Sequence, residues 1–128
     1  MFTAFASEFG LSDEMALKIA APFGGGMARA GKTCGVVTGG LMALGLKYGY
    51  TAPEGRDATY GIAQEFMRRF EEKHGSLTCR ELIGFDITTP ESRERAQQAG
   101  VFENICPRLV RDAAEIIQAL LVKAPSFS

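Results

Sequence analysis

Between Thr33 and Leu46 the chain carries no charged residue and four glycines. Helical numbering of this run puts Val37, Leu41, Leu44 and Tyr48 on one face and Gly35, Gly39, Met42 and Leu46 on the other. A helix that is apolar on both faces has to be buried on both, so the spacing predicts a central helix from Cys34 to about Tyr48, wrapped by other elements. Each interior glycine costs about 1 kcal/mol against alanine. Close approach of another backbone is the expected compensation. A membrane span is excluded for this run, because it is shorter than the roughly 20 apolar residues a bilayer needs.

The flanking sequence supplies the wrapping elements. Phe2, Phe5 and Phe9 recur at helical spacing up to Gly10, although this first helix has no start signal and begins as though cut in mid-element. Ser12 reads as the N-cap of a second helix, with Leu11, Met15 and Ile19 lining one side and Pro22 ending it. The turn region Gly49–Gly55 leads into a long amphipathic helix, about Arg56 to His74, with Ile62, Ala63, Phe66, Met67 and Phe70 inside. Thr78-Cys79-Arg80-Glu81 has the form of a capping box before a short helix ending at Gly84. Thr89-Pro90 starts another helix, to about Ala99. Cys106-Pro107 opens the last, to about Lys123, with Leu109, Ala113, Ile116, Ile117, Leu120 and Leu121 inward. No strand, repeat or linker interrupts this order. The expectation is all-α, with residues 1–128 forming one helical bundle of about five to seven helices around the glycine-rich one.

At 128 residues the chain can bury a core without covalent staples. Its formal net charge of −1 gives no basic field, so nucleic acid is not an expected partner. The amino terminus lacks the basic segment of a secretory signal, and a cytoplasmic location is expected. Three cysteines, an odd number in a reducing compartment, speak against a disulfide framework.

Those three cysteines share one structural address. Cys34 follows a Thr33 N-cap, Cys79 follows a Thr78 N-cap, and Cys106 occupies an N-cap itself. Free N–H groups and the positive end of the helix dipole gather at such positions. That environment lowers a thiol pKa and suits a nucleophile, a redox centre or a metal ligand such as one for zinc. Lys32 and Arg80, each beside a cysteine, are placed to add to the effect. No Cys-x-x-Cys pair exists, so any shared site has to be assembled by the fold.

Two other features carry less. Gly26-Met-Ala-Arg-Ala-Gly31-Lys32-Thr33 satisfies the phosphate-loop pattern literally, but no buried strand precedes it, so nucleotide hydrolysis is not expected. Arg29 within it either steers an anionic partner or is simply solvated, and the second reading is preferred. The lone histidine, His74, sits where it can interact with a helix C-terminus, the alternative being that it serves as a further ligand beside the cysteines.

The run Phe23-Gly24-Gly25-Gly26-Met27 through Gly31-Lys32-Thr33-Cys34-Gly35-Val36-Val37-Thr38-Gly39-Gly40, with the segments around Cys79 and Cys106-Pro107, resembles the C_GCAxxG_C_C family. That family is helical and taken to be redox-active, and its genes often lie near transporter genes. It is similar to the helical part of split-Soret cytochromes c, which implies an iron–sulfur cluster as cofactor. The resemblance makes Cys34, Cys79 and Cys106 the redox-active thiols or metal ligands. Gly24, Gly25, Gly26, Gly35 and Gly39 are the places where a backbone can approach a cofactor closely. Two departures stand out: Val36 replaces the family's alanine, and the family's early fourth cysteine has no counterpart before Cys34. One chain therefore falls one cysteine short of a Cys₄ site, and the expectation is a site with three ligands from one chain or one shared across a homodimer.

Three functions follow as expectations. The first is electron transfer, or cluster or metal binding, through the clustered cysteines, with a redox partner. The second is thiol–disulfide chemistry. The third is a non-catalytic accessory module working with a transporter-associated protein.

Overall fold

The computed structural model describes residues 1–122. It is a helical bundle, as the periodicity predicts; the expected end of the last helix at Lys123 lies outside the described residues. Five longer helices build it: α2 (Asp13–Ala20), α4 (Gly35–Tyr48), α5 (Arg56–His74), α7 (Pro90–Gln98) and α9 (Cys106–Val122). Four short segments join them: α1 (Thr3–Ala6), α3 (Gly24–Met27), α6 (Cys79–Ile83) and α8 (Val101–Asn104).

The glycine-rich helix α4 is central, packed against both α5 and α9, which also pack on each other. No residue from Gly35 to Leu44 is exposed. The three-way contact is closest at Gly40, where an added Cβ would lie 2.5 Å from Phe66 and 2.9 Å from Ile117, both fully buried. Glycine is therefore what lets α5 and α9 reach α4 at this level, offsetting its poor helix propensity. The expected backbone approach occurs at Gly39, whose Cβ would stand 3.2 Å from the Phe2 amide nitrogen. Gly45 has open space instead, and packing gives no reason for it. The Tyr48 hydroxyl donates to the Leu120 carbonyl at 2.7 Å, tying the end of α4 to the end of α9.

Caps account for several boundaries. The Ser12 hydroxyl accepts from the Met15 amide at 3.2 Å, and Thr89 forms a reciprocal capping box with Ser92. Left-handed Gly10, Gly75, Gly84 and Gly100 follow the segments they terminate. One expectation fails in α2: Met15 and Ile19 are 49% and 43% exposed. The helix lies on α1 through Ala16, which is fully buried, so its larger apolar side chains fall at the rim.

The buried side chains form two clusters. The larger joins Phe2, Phe5, Cys34, Val37, Leu44, Phe66, Phe70, Ile117 and their neighbours. The smaller joins Cys79, Ile83, Ile87, Ala96 and Val101, with Ile105 and Cys106 packed against it. Cys34 thus belongs to one cluster and the other two cysteines to the second. What they share lies at the seam.

Candidate redox site at the seam of two clusters

Cys34 is itself the N-cap of α4, one position later than expected. Its carbonyl accepts from the Val37 and Thr38 amides at 2.9 and 3.1 Å. Thr33 is diverted into a single antiparallel bridge with Thr78, the only strand-like pairing among the described residues. The bridge is fixed by the Cys34 amide donating to the Leu77 carbonyl at 2.9 Å and the Cys79 amide donating to the Lys32 carbonyl at 2.6 Å. Cys34 and Cys79 each follow a bridged threonine. The alternation of a strand puts them on one face, so a two-residue ladder registers the lead-in to α4 against the lead-in to α6. The same diversion explains why the capping box at Thr78 is absent: its side chain makes no cap bond.

Cys106 is the first residue of α9 rather than its N-cap. Ile105 takes the capping place, accepting from the Arg108 and Leu109 amides at 3.1 and 3.2 Å. Because Ile105 is itself near-helical, α8 runs almost directly into α9, and Cys106 is held at their junction.

All three cysteines line one cavity of about 310 Å³. Gly24, Gly25, Gly26, Gly35 and Gly39 line it too. An added Cβ at Gly26 would sit 2.7 Å from Cys79 Cβ and 2.7 Å from the Lys32 amide nitrogen, so a side chain there would push directly on a cysteine. Apolar residues complete the wall, among them Phe2, Phe23, Val36, Met42, Ile83 and Phe102, and no His, Asp or Glu lines it. Of these, Phe102 on the short α8 was not marked by the sequence. Its only signal is a large aromatic left 40% exposed in a polar segment, which becomes visible once α8 is placed.

The glycine wall has unusual backbone. Gly25, Gly26, Met27, Ala28 and Arg29 all have φ between 53° and 69°, a run of left-handed residues. Three of them carry side chains, at about 1–2 kcal/mol of strain each. Strain of this kind persists where the surroundings over-determine it. Here the amides of Arg29, Ala30, Gly31 and Lys32 donate back to Gly24, Met27, Gly25 and Gly26. Those bonds also dispose of the phosphate-loop resemblance. Amides that would cradle a phosphate are consumed inside the loop, and Lys32 is bonded through both its amide and its carbonyl.

The thiols are not activated, contrary to expectation. Burial raises the pKa of Cys34, against the opposing pull of the Val36 and Val37 amides. Burial also lifts Cys79, to about 11, helped by the proximity of Cys34 and Cys106. Cys106 is raised in the same way, by burial first and then by Cys34, with its own amide opposing. Desolvation of a thiolate outweighs the helix-terminal amides. Neither Lys32 nor Arg80 lines the cavity, and both are exposed to water, which screens them.

All three thiols are free. They do not close on a single ion: among the described residues no group of three or more His, Cys, Asp or Glu side chains could hold one. His74 stands apart from the cavity. It lies at the end of α5, with Nε2 3.0 Å from Asp112 and its ring against Phe70 at 4.8 Å.

These features define a class: a small helical protein with three free cysteines from separate helix starts around one apolar, glycine-walled cavity. The family model described as "Putative redox-active protein (C_GCAxxG_C_C)" matches residues 1–120, and the chain belongs to that family. No curated protein and no solved structure matches it. No helix among the described residues is long and apolar enough to cross a membrane.

Proposed function

We propose that the chain is an electron-transfer protein whose Cys34, Cys79 and Cys106 hold an iron–sulfur cluster in the cavity they line. The supporting observation is the convergence of three thiols, and no oxygen or nitrogen side-chain donor, on a space of about 310 Å³. Soft thiolate donors select iron–sulfur clusters, copper(I) or zinc. The donors are not arranged to hold a single ion, whereas a cluster offers them separate corners. A directly bonded cysteine pair would need no such volume between its sulfurs. Once bound, the cluster would supply one-electron chemistry.

The chain's own residues set the conditions. The raised pKa values keep the thiols protonated at neutral pH, so binding a cluster through them would displace their protons. Amides at the start of α4 face Cys34 and favour its anionic form, stabilising charge gathered at the site. The apolar wall of Phe2, Phe23, Met42 and Ile83 limits water, a condition that tunes the potential of a cluster. A reducing cytoplasm, a homodimer that completes the ligand set and a redox partner are parts of the same proposal.

The test is anaerobic purification followed by iron, zinc and acid-labile sulfide analysis, with the visible spectrum. Iron and sulfide in comparable amounts, lost together in Cys34→Ser, Cys79→Ser and Cys106→Ser, are expected. Protein free of both after anaerobic reconstitution, with two cysteines forming a reversible disulfide, would move the function to thiol–disulfide exchange.

A further inference from the structure

On the far side of the glycine wall lies a second, larger space, an open cleft of about 680 Å³. It shares Gly24, Gly25 and Phe102 with the cysteine cavity, so the two are neighbours across a thin partition. Their linings differ in kind. The cleft carries two arginines, Arg29 and Arg93, with Gln97 beside them, and no Asp or Glu lines it. Ala21, Ala28 and Ile87 provide apolar wall.

Both arginines are positioned by local structure. Arg29 is the last residue of the left-handed run, at φ 67°. Its Cγ would be 3.2 Å from a Cβ placed on Gly25, so its stem lies across that glycine. Arg93 on α7 is half-buried, and one Nη1–H donates to the Ile87 carbonyl at 3.3 Å. A guanidinium has five N–H groups, so most of its donor capacity stays available. Among the described residues neither arginine is in an ion pair, whereas Arg68 and Arg69 both pair with Glu65. Two uncompensated guanidinium groups in one cleft favour an oxyanion, which they can hold bidentately.

We infer that this cleft binds a small molecule with a phosphate or carboxylate at one end and an apolar body that lies along Ile87 and Phe102 towards the cysteine cavity. Arg29 and Arg93 hold the oxyanion, Gln97 adds a hydrogen-bonding side chain, and the strained turn sets Arg29 in place. A molecule seated there lies against the partition in front of the thiols. Its role as electron partner rests on the redox reading, but its binding does not.

The experiment uses reduced, metal-free full-length chain, so that cluster loading has no influence. Calorimetric titrations with phenyl phosphate, sodium benzoate and phenol give the affinities, repeated at raised sodium chloride. One-to-one binding of phenyl phosphate, benzoate or both is expected, weakened by salt, with phenol binding far more weakly. Phenyl phosphate alone would identify a phosphate ester, and both acids a general oxyanion site. Arg29→Gln and Arg93→Gln should each lower affinity about tenfold, the scale of one charge-assisted contact, with partial recovery in the Lys variants. Arg29 is exposed, so its variant folds normally, and thermal melting separates any loss of stability in Arg93→Gln from loss of binding. Absence of binding by either acid up to about 10 mM overturns the inference, since two arginines without ion-pair partners in one cleft should hold an oxyanion more tightly than that. Equal binding of phenol, or an unchanged affinity in Arg29→Gln, overturns it too.

Discussion

Cys79 offers the sharpest test of how the site treats its thiols. Its side chain is 7% exposed, and burial beside Cys34 and Cys106 holds its pKa at about 11, against an ordinary value near 9. Alkylation requires the thiolate, so the rate follows the ionised fraction. At pH 8 a thiol of pKa near 9 is about one-tenth ionised, and one of pKa 11 about one-thousandth, a ratio of about a hundredfold. The assay is iodoacetamide labelling of reduced, metal-free protein from pH 7 to 11.5, quenched at intervals, with each cysteine followed by peptide mass spectrometry. Protein in denaturant gives the reference. Cys79 should react at least about a hundredfold more slowly folded than unfolded at pH 8, burial adding to the effect of ionisation. Its rate should keep rising tenfold per pH unit beyond pH 9. Stability carries the same signature. The folded pKa is raised, so its contribution is fully present below about pH 9 and is lost as the pH rises towards 11. Solvent access through the cavity mouth limits this to no more than about 2 kcal/mol. A folded-state rate that levels off at or below pH 9 would refute the reasoning, because it would mean that the helix-terminal amides outweigh burial.

Other perturbations probe the frame around the site. Gly40→Ala forces a Cβ to within 2.5 Å of buried Phe66 and should cost about 1–3 kcal/mol in urea unfolding, while Gly45→Ala, in open space on the same helix, should stabilise by up to about 1 kcal/mol. Equal effects of the two would show that helix propensity, not packing against α5 and α9, governs α4. Ala28→Gly relieves left-handed strain at φ 53° and should raise stability by up to about 1 kcal/mol, whereas Gly26→Ala should destabilise and alter Cys79 labelling. Glu65, held to about 2 by its bonds to Arg68 and Arg69, contributes stability present above about pH 4.5 and lost as the pH falls towards 2. Because this trio is partly solvated, Glu65→Gln should remove less than about 1 kcal/mol at neutral pH and flatten that acid limb.

What the sequence made legible was periodic or capped. The uncharged glycine run announced α4 and its burial, and α5 emerged with its ends at Arg56 and His74 because its apolar stripe and Gly75 agree. Ser12 and Thr89 announced their helices through side chains that make the expected bonds. Legibility failed where tertiary pairing recruited the same residues. Thr33 and Thr78 both read as N-caps, and both are spent in a bridge between segments more than forty residues apart, which no local pattern encodes. The left-handed run was hidden as well, since Met27, Ala28 and Arg29 give no local sign of it. Residues at α2 were misjudged because period alone cannot say whether a stripe meets a core or a rim.

The ordering of effects at the cysteines argues against an activated nucleophile. An attacking thiol is made reactive by keeping it near water and cations, so that its anion is cheap at neutral pH. Here the cations are outside, the wall is apolar, and each thiol is pushed upward by burial, at Cys34 and Cys106 against an opposing backbone amide. Those amides would be redundant if the thiols were packing residues alone. They matter when the protons leave, because they then oppose the desolvation of the thiolates. Loading with metal is the event that displaces thiol protons, whatever the solution pKa. Under the proposed cluster-binding function, a cavity that discourages ionisation would restrain stray alkylation and oxidation of Cys79 without removing it as a donor. The glycine wall keeps the space beside Cys79 open, since a Cβ at Gly26 would stand 2.7 Å from Cys79 Cβ.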